Sequence, residues 1–433
     1  MISKQKFTVI GIIVLFISSF LYAQISSQET GSIRGIVKDN EGAPLPGVAI
    51  TVKGPSLMGQ ATDVTRENGT FRILLLPPGK YTVTAELPGF KTATLENVEV
   101  RLGMTISVNI TMSPETLAEE ITVVGEAPVV DVKSSKTQQI YKSDLIQNIP
   151  IGRSLQSVIT LTPGTVSSTN VKGGTAANNT YRIDGLNAND PCQQQLDIPI
   201  DFNLFEEVEI VTGGMPAEVG GTSGAYVNVV TKSGGNEFSG MVQSYFINED
   251  LTTIVLPQEE LTALGLSKPN APIYDYDFSG NFGGPIIKDR IWFYLNGRYG
   301  ADKYNTGFIP FTSPYDGTYY DTFHRKSHNW GAFMKLTFQL SKSVKLALMG
   351  NARQTYRNTR ASGWNMPFDC HYHDDPWANY AATGVLTWLI DSNTYLEVRG
   401  GYTKVDAMLT LVRPELTTVP SVSYTHLTLP TKA

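Results

Sequence analysis

The chain reads as mainly β: a small sandwich, then an α+β unit, then the first part of a transmembrane antiparallel β-barrel. Three observations predict this. Short alternating runs separated by Gly, Pro and Asn turns fill residues 31–113. Two β-rich phrases, Glu207–Thr212 and Ala225–Thr231, bracket a glycine-dense connector. From about Phe238, apolar and polar residues alternate along runs whose connections are alternately short and long.

Residues 1–23 follow the pattern of a secretory signal, with Lys4 and Lys6 ahead of an apolar Val9–Leu21 run and Ala23 as a small residue for cleavage. A single membrane anchor is the alternative, for which the run is short. No later segment has the length and apolarity of a transmembrane helix, so an exported chain of this kind is soluble, anchored or a barrel. The net charge is −6 with no basic block, which argues against nucleic acid as a partner. Charged residues make up 17% and aromatics 10% of the chain, a balance that suits a barrel with aromatic girdles but is shared by soluble β proteins. Two cysteines, Cys192 and Cys370, do not make a disulfide framework.

Within 31–113, GSIRGIVKD alternates as a strand, EGAPLPG is a turn cluster and VAITVKG a second strand. Asn68-Gly69 between extended runs predicts a local hairpin. LPPGKYTVTAELPGF gives a Pro-Gly turn, a strand and another turn, and Ile106–Met112 alternates again. About seven short strands are expected, packed as a sandwich. The phrases GIVKDNEGAPLPGVAITV, NGTFRI and PPGKYTVTAELPGF resemble the carboxypeptidase regulatory-like domain, which implies a transthyretin-like β-sandwich without peptidase chemistry. Histidines begin only at His324, so this region holds no histidine-ligated zinc site. An accessory binding module and a structural spacer both remain open.

A polar linker at 114–134 carries the phrase Glu120, Ile121, Thr122, Val123, Val124, Gly125. A strand-prone phrase between polar flanks suits addition to a partner's sheet edge. Residues 135–237 follow. Ser143 is placed to cap a short helix through Ile149, ended by Pro150, and Ser154 to cap another with Leu155, Val158, Ile159 and Leu161 on its apolar side. The order IPIGRSLQSVITLTPGTV, YRIDGL and EEVEIVTGGMPAEVGGTSGAYVNVVTKSGGNEFSG resembles the plug domain of TonB-dependent outer-membrane receptors. That resemblance makes Glu120–Gly125 similar to the TonB box, the peptide gripped by a TonB-type energising protein; an edge strand of plug or sandwich is the alternative. It makes Asp184 and Gly185, with Gly213, Gly214, Gly220, Gly221 and Gly224, structural and gating elements of the plug. Asp184 is expected to accept backbone N–H groups in its turn.

Residues 238–420 are expected to form a partial barrel. Trp330, Ala332, Met334, Leu336, Phe338 and Leu340 share one face; Val344, Leu346 and Leu348 oppose Lys345; Leu396, Val398 and Tyr402 oppose Glu397 and Arg399. Short turns are expected at Lys288–Arg290, Ser341–Ser343 and Asp391–Asn393, and long polar loops near 303–327 and 355–377. FGGPIIKDRIWFYLNGRY resembles the early barrel of the Oar-like branch of these receptors. Seven or so strands are too few to enclose the plug, so a C-terminal truncation is expected. Residues 421–433 (SVSYTHLTLPTKA from Ser421) resemble read-through rather than a native barrel end, with a genuine short variant as the alternative.

No constellation for enzymatic work is present. Asp184, Asp190, Asp197 and Asp201 lack a local His or Ser partner, and GGMPAEVGG lacks the Lys-Ser/Thr ending of a phosphate loop. No cofactor is expected. Cys370, His371 and His373 form a ligand-like cluster in an expected extracellular loop, with a solvated loop as the competing reading, and a Cys192–Cys370 disulfide is a further hypothesis. The first functional reading is energised uptake of a large substrate across the cell outer membrane. The sandwich would be periplasmic, and the partners would be a TonB-type protein, outer-membrane lipids, an extracellular substrate and a surface lipoprotein. The second is an Oar-like adhesion or structural protein without transport, and the third a soluble carbohydrate-binding β protein.

Overall fold

A computed structural model describes residues 30–115, 136–411 and 424–426, apart from 58, 168–169, 190–195, 197–199, 216–218, 220, 253–256, 264–270, 307–310, 313–316, 318, 321–322, 361–371 and 392–393. Three sheet systems follow one another along the chain.

Seven strands form the sandwich: β1 (Gly31–Asp39), β2 (Ala49–Lys53), β3 (Gln60–Val64), β4 (Thr70–Leu76), β5 (Gly79–Glu86), β6 (Ala93–Val100) and β7 (Thr105–Met112). One sheet runs β4-β1-β7, with β1 and β7 parallel; the other runs β3-β2-β5-β6. Alternate residues face inward, so Ile33, Val37, Ile50, Val52, Phe71, Tyr81, Val83 and Ile110 meet in one core. The Asn68-Gly69 turn does not join a paired hairpin. Asn68 Oδ1 accepts from Thr70 N at 3.1 Å and Gly69 takes φ 71°. The chain then changes sheet, because β3 pairs with β2 and β4 with β1. The Asn-Gly signal gave the turn; the facing core residues decided the partner.

The middle unit is a five-stranded sheet, β10-β9-β12-β11-β8, with two short helices. Its elements are β8 (Thr137–Lys142), α1 (Ser143–Asn148), α2 (Leu155–Ile159), β9 (Thr180–Ile183), β10 (Leu186–Asn187), β11 (Phe205–Gly213) and β12 (Tyr226–Thr231). Ser154 caps α2, its Oγ accepting from Ser157 N at 3.2 Å, and Leu155, Val158 and Ile159 are buried. Ser143 does not cap α1. Lys142 holds the cap position without a side-chain bond, and Ser143 Oγ instead accepts from Gln147 Nε2 at 3.3 Å. Every residue of β12 is buried, as befits a central strand flanked by β9 and β11.

The third system is an eight-stranded sheet in the order β13 (Ser239–Asn248), β14 (Ala271–Ile287), β15 (Ile291–Thr306), then β18 (Phe323–Ser341), β19 (Val344–Arg360), β20 (Tyr372–Leu389), β21 (Tyr395–Leu411) and β22 (Tyr424–His426); a small separate hairpin, β16 (Phe311–Thr312) with β17 (Tyr319–Tyr320), lies between β15 and β18. All its pairings are antiparallel. The tight turns fall at Lys288–Arg290, after Ser341 and after Leu389, as the sequence indicates. The strands run longer than the alternation suggests, reaching 19 residues in β18. Residues 302–306 pair with 323–327, and 355–360 with residues of 372–377, so much of both expected long loops is ladder. Polar side chains hide this extension, because a strand projecting past a membrane into water needs no apolar face. Tyr424–His426, within the tail expected to be artefactual, adds three residues against β21.

The faces of this wall invert the pattern of a soluble sheet. Val242, Phe246, Phe278, Phe282, Leu295, Trp330, Met334, Leu348, Trp388 and Val398 are exposed on its outer side. Asp277, Ser279, Asn296, Lys335, Thr337, Asn379, Thr383 and Thr387 are buried on its inner side, against the middle unit. That is the arrangement of a sheet with lipid outside and a polar lumen within.

Candidate functional site

The middle unit sits against the inner side of the wall, and the seam between them is predominantly polar. Asp184 closes the β9–β10 turn with φ 44°, followed by Gly185 at φ 77°. Its carboxylate reaches across the unit: Oδ1 accepts from Thr231 N at 2.9 Å and Oδ2 from Thr231 Oγ1. Lys335 of β18 lies 3.4 Å from Asp184 Oδ2 and also donates to Thr231 Oγ1 at 3.1 Å. Arg399 of β21 donates to the Asp184 carbonyl at 3.0 Å. Asp184 thus accepts a backbone N–H, but from the end of β12 rather than from its own turn. Two wall cations hold the same residue.

A second group lies further along the seam. Asp201 is within 3.6 Å of Arg298 of β15 and accepts from Asn296 at 3.1 Å. Arg153, just ahead of α2, donates to Asn203 at 2.9 Å and to Gln243 of β13 at 3.1 Å, and lies 3.6 Å from Asp277 of β14. Its guanidinium stacks 3.9 Å from the Tyr245 ring. Asp277 in turn holds Arg298 through two bonds, of 3.0 and 2.6 Å. A cavity of about 20 Å³, wide enough for a water, is lined here by Asp201, Asn296, Arg298, Asn329 and Arg353. Apolar contact is made by Tyr294 and Phe333 from the wall, which join the core of the middle unit, and by the partly buried Met349 and Ala381 packed against it.

The glycine-dense connector divides by role. Gly214 and Gly221 take positive φ, 64° and 77°. Gly224 is required by close approach, since a Cβ there would strike Asn179 Oδ1, which accepts from Ala225 N at 2.8 Å. Gly213 ends β11 in extended conformation, and Gly220 lies outside the described residues. Cys192, Asp190, Asp197, Cys370, His371 and the whole Glu120–Gly125 phrase also lie outside them. His373 falls on β20. Among the described residues no group of three or more His, Cys, Asp or Glu is placed to hold a metal.

β11 concentrates acids, with Glu207 and Glu209 buried and Glu206 half-buried. Glu206, Glu207 and Glu209 all have carboxyls held above the usual range, in each case chiefly by burial; Glu207 is pushed up to about 7. Burial also lowers Lys232. Of the seam residues, the sequence singled out Asp184 and placed Arg399 on a polar face. Arg153, Asn203, Arg298 and Lys335 escaped notice; their one sequence signal is a charge or amide at an inward position of an alternating strand or beside a helix cap.

The chain matches the carboxypeptidase regulatory-like domain over residues 32–113 and the outer membrane beta barrel domain over residues 230–312. It is 32% identical over 304 residues to the TonB-dependent transporter Oar of Myxococcus xanthus. Over that stretch the chain is similar to an Oar-like TonB-dependent transporter. The match covers 65% of this chain and 28% of the Myxococcus protein, so the chain spans less than a third of that relative's length. It is also similar to solved structures of the ferric enterobactin receptor PfeA of Pseudomonas aeruginosa (15% identity, TM-score 0.48, 63% of this chain and 41% of that one) and of the outer membrane transporter YddB of Escherichia coli (13% identity, TM-score 0.48, 64% and 40%). The outer membrane beta barrel match falls mainly on the first strands of the eight-stranded sheet, and the middle unit lies where the sequence resemblance puts a plug.

Proposed function

We propose that this Oar-like receptor imports a large substrate across the outer membrane, with the plug as the gate and a TonB-type protein supplying work through Glu120–Gly125. The polar seam carries the reading. A plug meant to stay would be joined to the wall as protein cores are, by apolar packing. Here Asp184–Lys335, Asp201–Arg298 and Arg153–Asp277 bridge it instead. Buried pairs of this type fix position while adding little net stability, because desolvation offsets most of the attraction. They suit a part that must seat in register and still be moved. Substrate would bind between the outer loops and the plug, with the sandwich on the periplasmic side, and the proton gradient of the inner membrane would supply the energy.

Deleting residues 120–125 in the full-length receptor is expected to abolish energised uptake while surface binding of the same substrate persists. Unchanged uptake would reject the mechanism in favour of the adhesion or structural role.

A further inference from the structure

The sandwich touches the plug where an outer strand pair of the plug sheet ends. Lys142 ends β8 and lies directly opposite Glu207 in the β8–β11 ladder. The end of β6 and the turn that follows it engage both. Lys142 pairs with Glu99, and Glu207 Oε2 accepts from the Leu102 backbone N–H at 3.0 Å. Leu102 and Glu207 are buried, and Arg101, 3.4 Å from Glu99, completes the charge set. Tyr81 of the sandwich is also near enough to Glu206 and Glu207 for their charges to reinforce the effect of burial in raising its phenol.

The position of this contact matters. β8 is the edge strand of the plug sheet, paired only with β11. Its ladder runs from Thr137↔Gly213 to Lys142↔Glu207. In the sequence, the segment that leaves the sandwich after β7 re-enters the plug at Thr137. A load applied to that segment peels β8 from its Thr137 end, and the Lys142 rung is the last to open.

We propose that the β6–β7 turn is a latch which clamps the final β8–β11 rung of the seated plug, so that the sandwich must lift off before β8 separates. This rests on the reading that the plug moves. The latch itself is tested without transport, by amide hydrogen exchange on the full chain in detergent. Lys142→Glu sets like charges against Glu99, and is expected to speed exchange at least tenfold both in the 101–104 turn and across β8 and β11. Adding Glu99→Lys restores the opposite pair and should return both regions to within threefold of the parent. Glu207→Ala should expose the Leu102 amide, while Glu207→Gln, which keeps an acceptor, should protect it. Unchanged amides in β2 and β5 establish that the sandwich remains folded in each variant.

Release of the turn with β8 and β11 unaltered would overturn the latch, as would failure of the charge swap to restore protection. If the swap behaves as expected while no form of the receptor transports, the transport reading falls and the latch stands.

Discussion

The Asp184–Lys335 pair gives a quantitative test of the seam. Asp184→Ala removes a carboxylate that serves Thr231 N, Thr231 Oγ1 and Lys335 together. Lys335, itself buried, keeps the Thr231 carbonyl and hydroxyl at 3.3 and 3.1 Å, neither of which carries charge, with Glu206 as a charge beyond hydrogen-bond contact. Breaking one side of a buried pair costs about 3–5 kcal/mol, because the remaining ion is left uncompensated. Lys335→Met leaves the carboxylate with the Thr231 donors and should cost less, about 1–3 kcal/mol, near the cost of one unmet charged hydrogen bond. The double variant removes both charges and is expected to lose no more than the Asp184→Ala single. Chemical denaturation in detergent micelles, followed through exchange of the plug amides, measures all three. Additive losses in the double variant would show that the residues do not act as a pair. A loss under about 0.5 kcal/mol for Asp184→Ala would place the pair in solvent-like surroundings and refute the account of the seam.

Glu207 predicts a pH dependence. Its folded-state value of about 7 exceeds the ordinary 4.5, so the folded plug holds this proton more tightly than the unfolded chain. The contribution favours folding below about 4.5, declines as pH rises, and becomes a constant penalty above about 7. Glu207→Gln should therefore stabilise the plug by about 1–3 kcal/mol at pH 8 and change little near pH 4, in paired denaturation curves; equal effects at both values would discard the assignment. Gly224→Ala is expected to displace Asn179 and lower plug stability by about 1–3 kcal/mol, measured the same way, whereas Gly297→Ala in β15, with open space around it, should leave the plug unaffected. Leu348→Arg on the outer face should cost up to about 2–4 kcal/mol of barrel stability in bilayers, the price of a cation facing hydrocarbon, and a neutral result would place that face in water.

Much of the wall could be read from the sequence because a strand between lipid and lumen must alternate, and Trp330, Met334, Leu348 and Val398 do so in register. The cap on α2 was equally legible, since Ser154 precedes the apolar set it serves. Long-range choices were not. Nothing local to Asn68-Gly69 says that the next strand crosses to the other sheet, because that depends on which core Phe71 and Ile73 enter. Nor does the sequence near Arg153 reveal Gln243 and Asp277, which lie on different wall strands. The polar extensions of β15 and β18 were hidden for another reason: above the membrane both faces meet water, and the alternation that announces a strand fades.

The inverted faces of the wall also bear on how such a chain reaches its destination. Because polar residues recur throughout the described wall strands, none of them presents the continuous apolar run of about 20 residues that would arrest it in a helical membrane on the way out. Lys335 sits between Met334 and Leu336, and Arg399 follows Val398, so each strand averages out as unremarkable until it pairs with neighbours. The same alternation that separates lipid from lumen in the finished wall thus keeps the unfolded strands exportable. Membrane affinity arises only when the sheet forms.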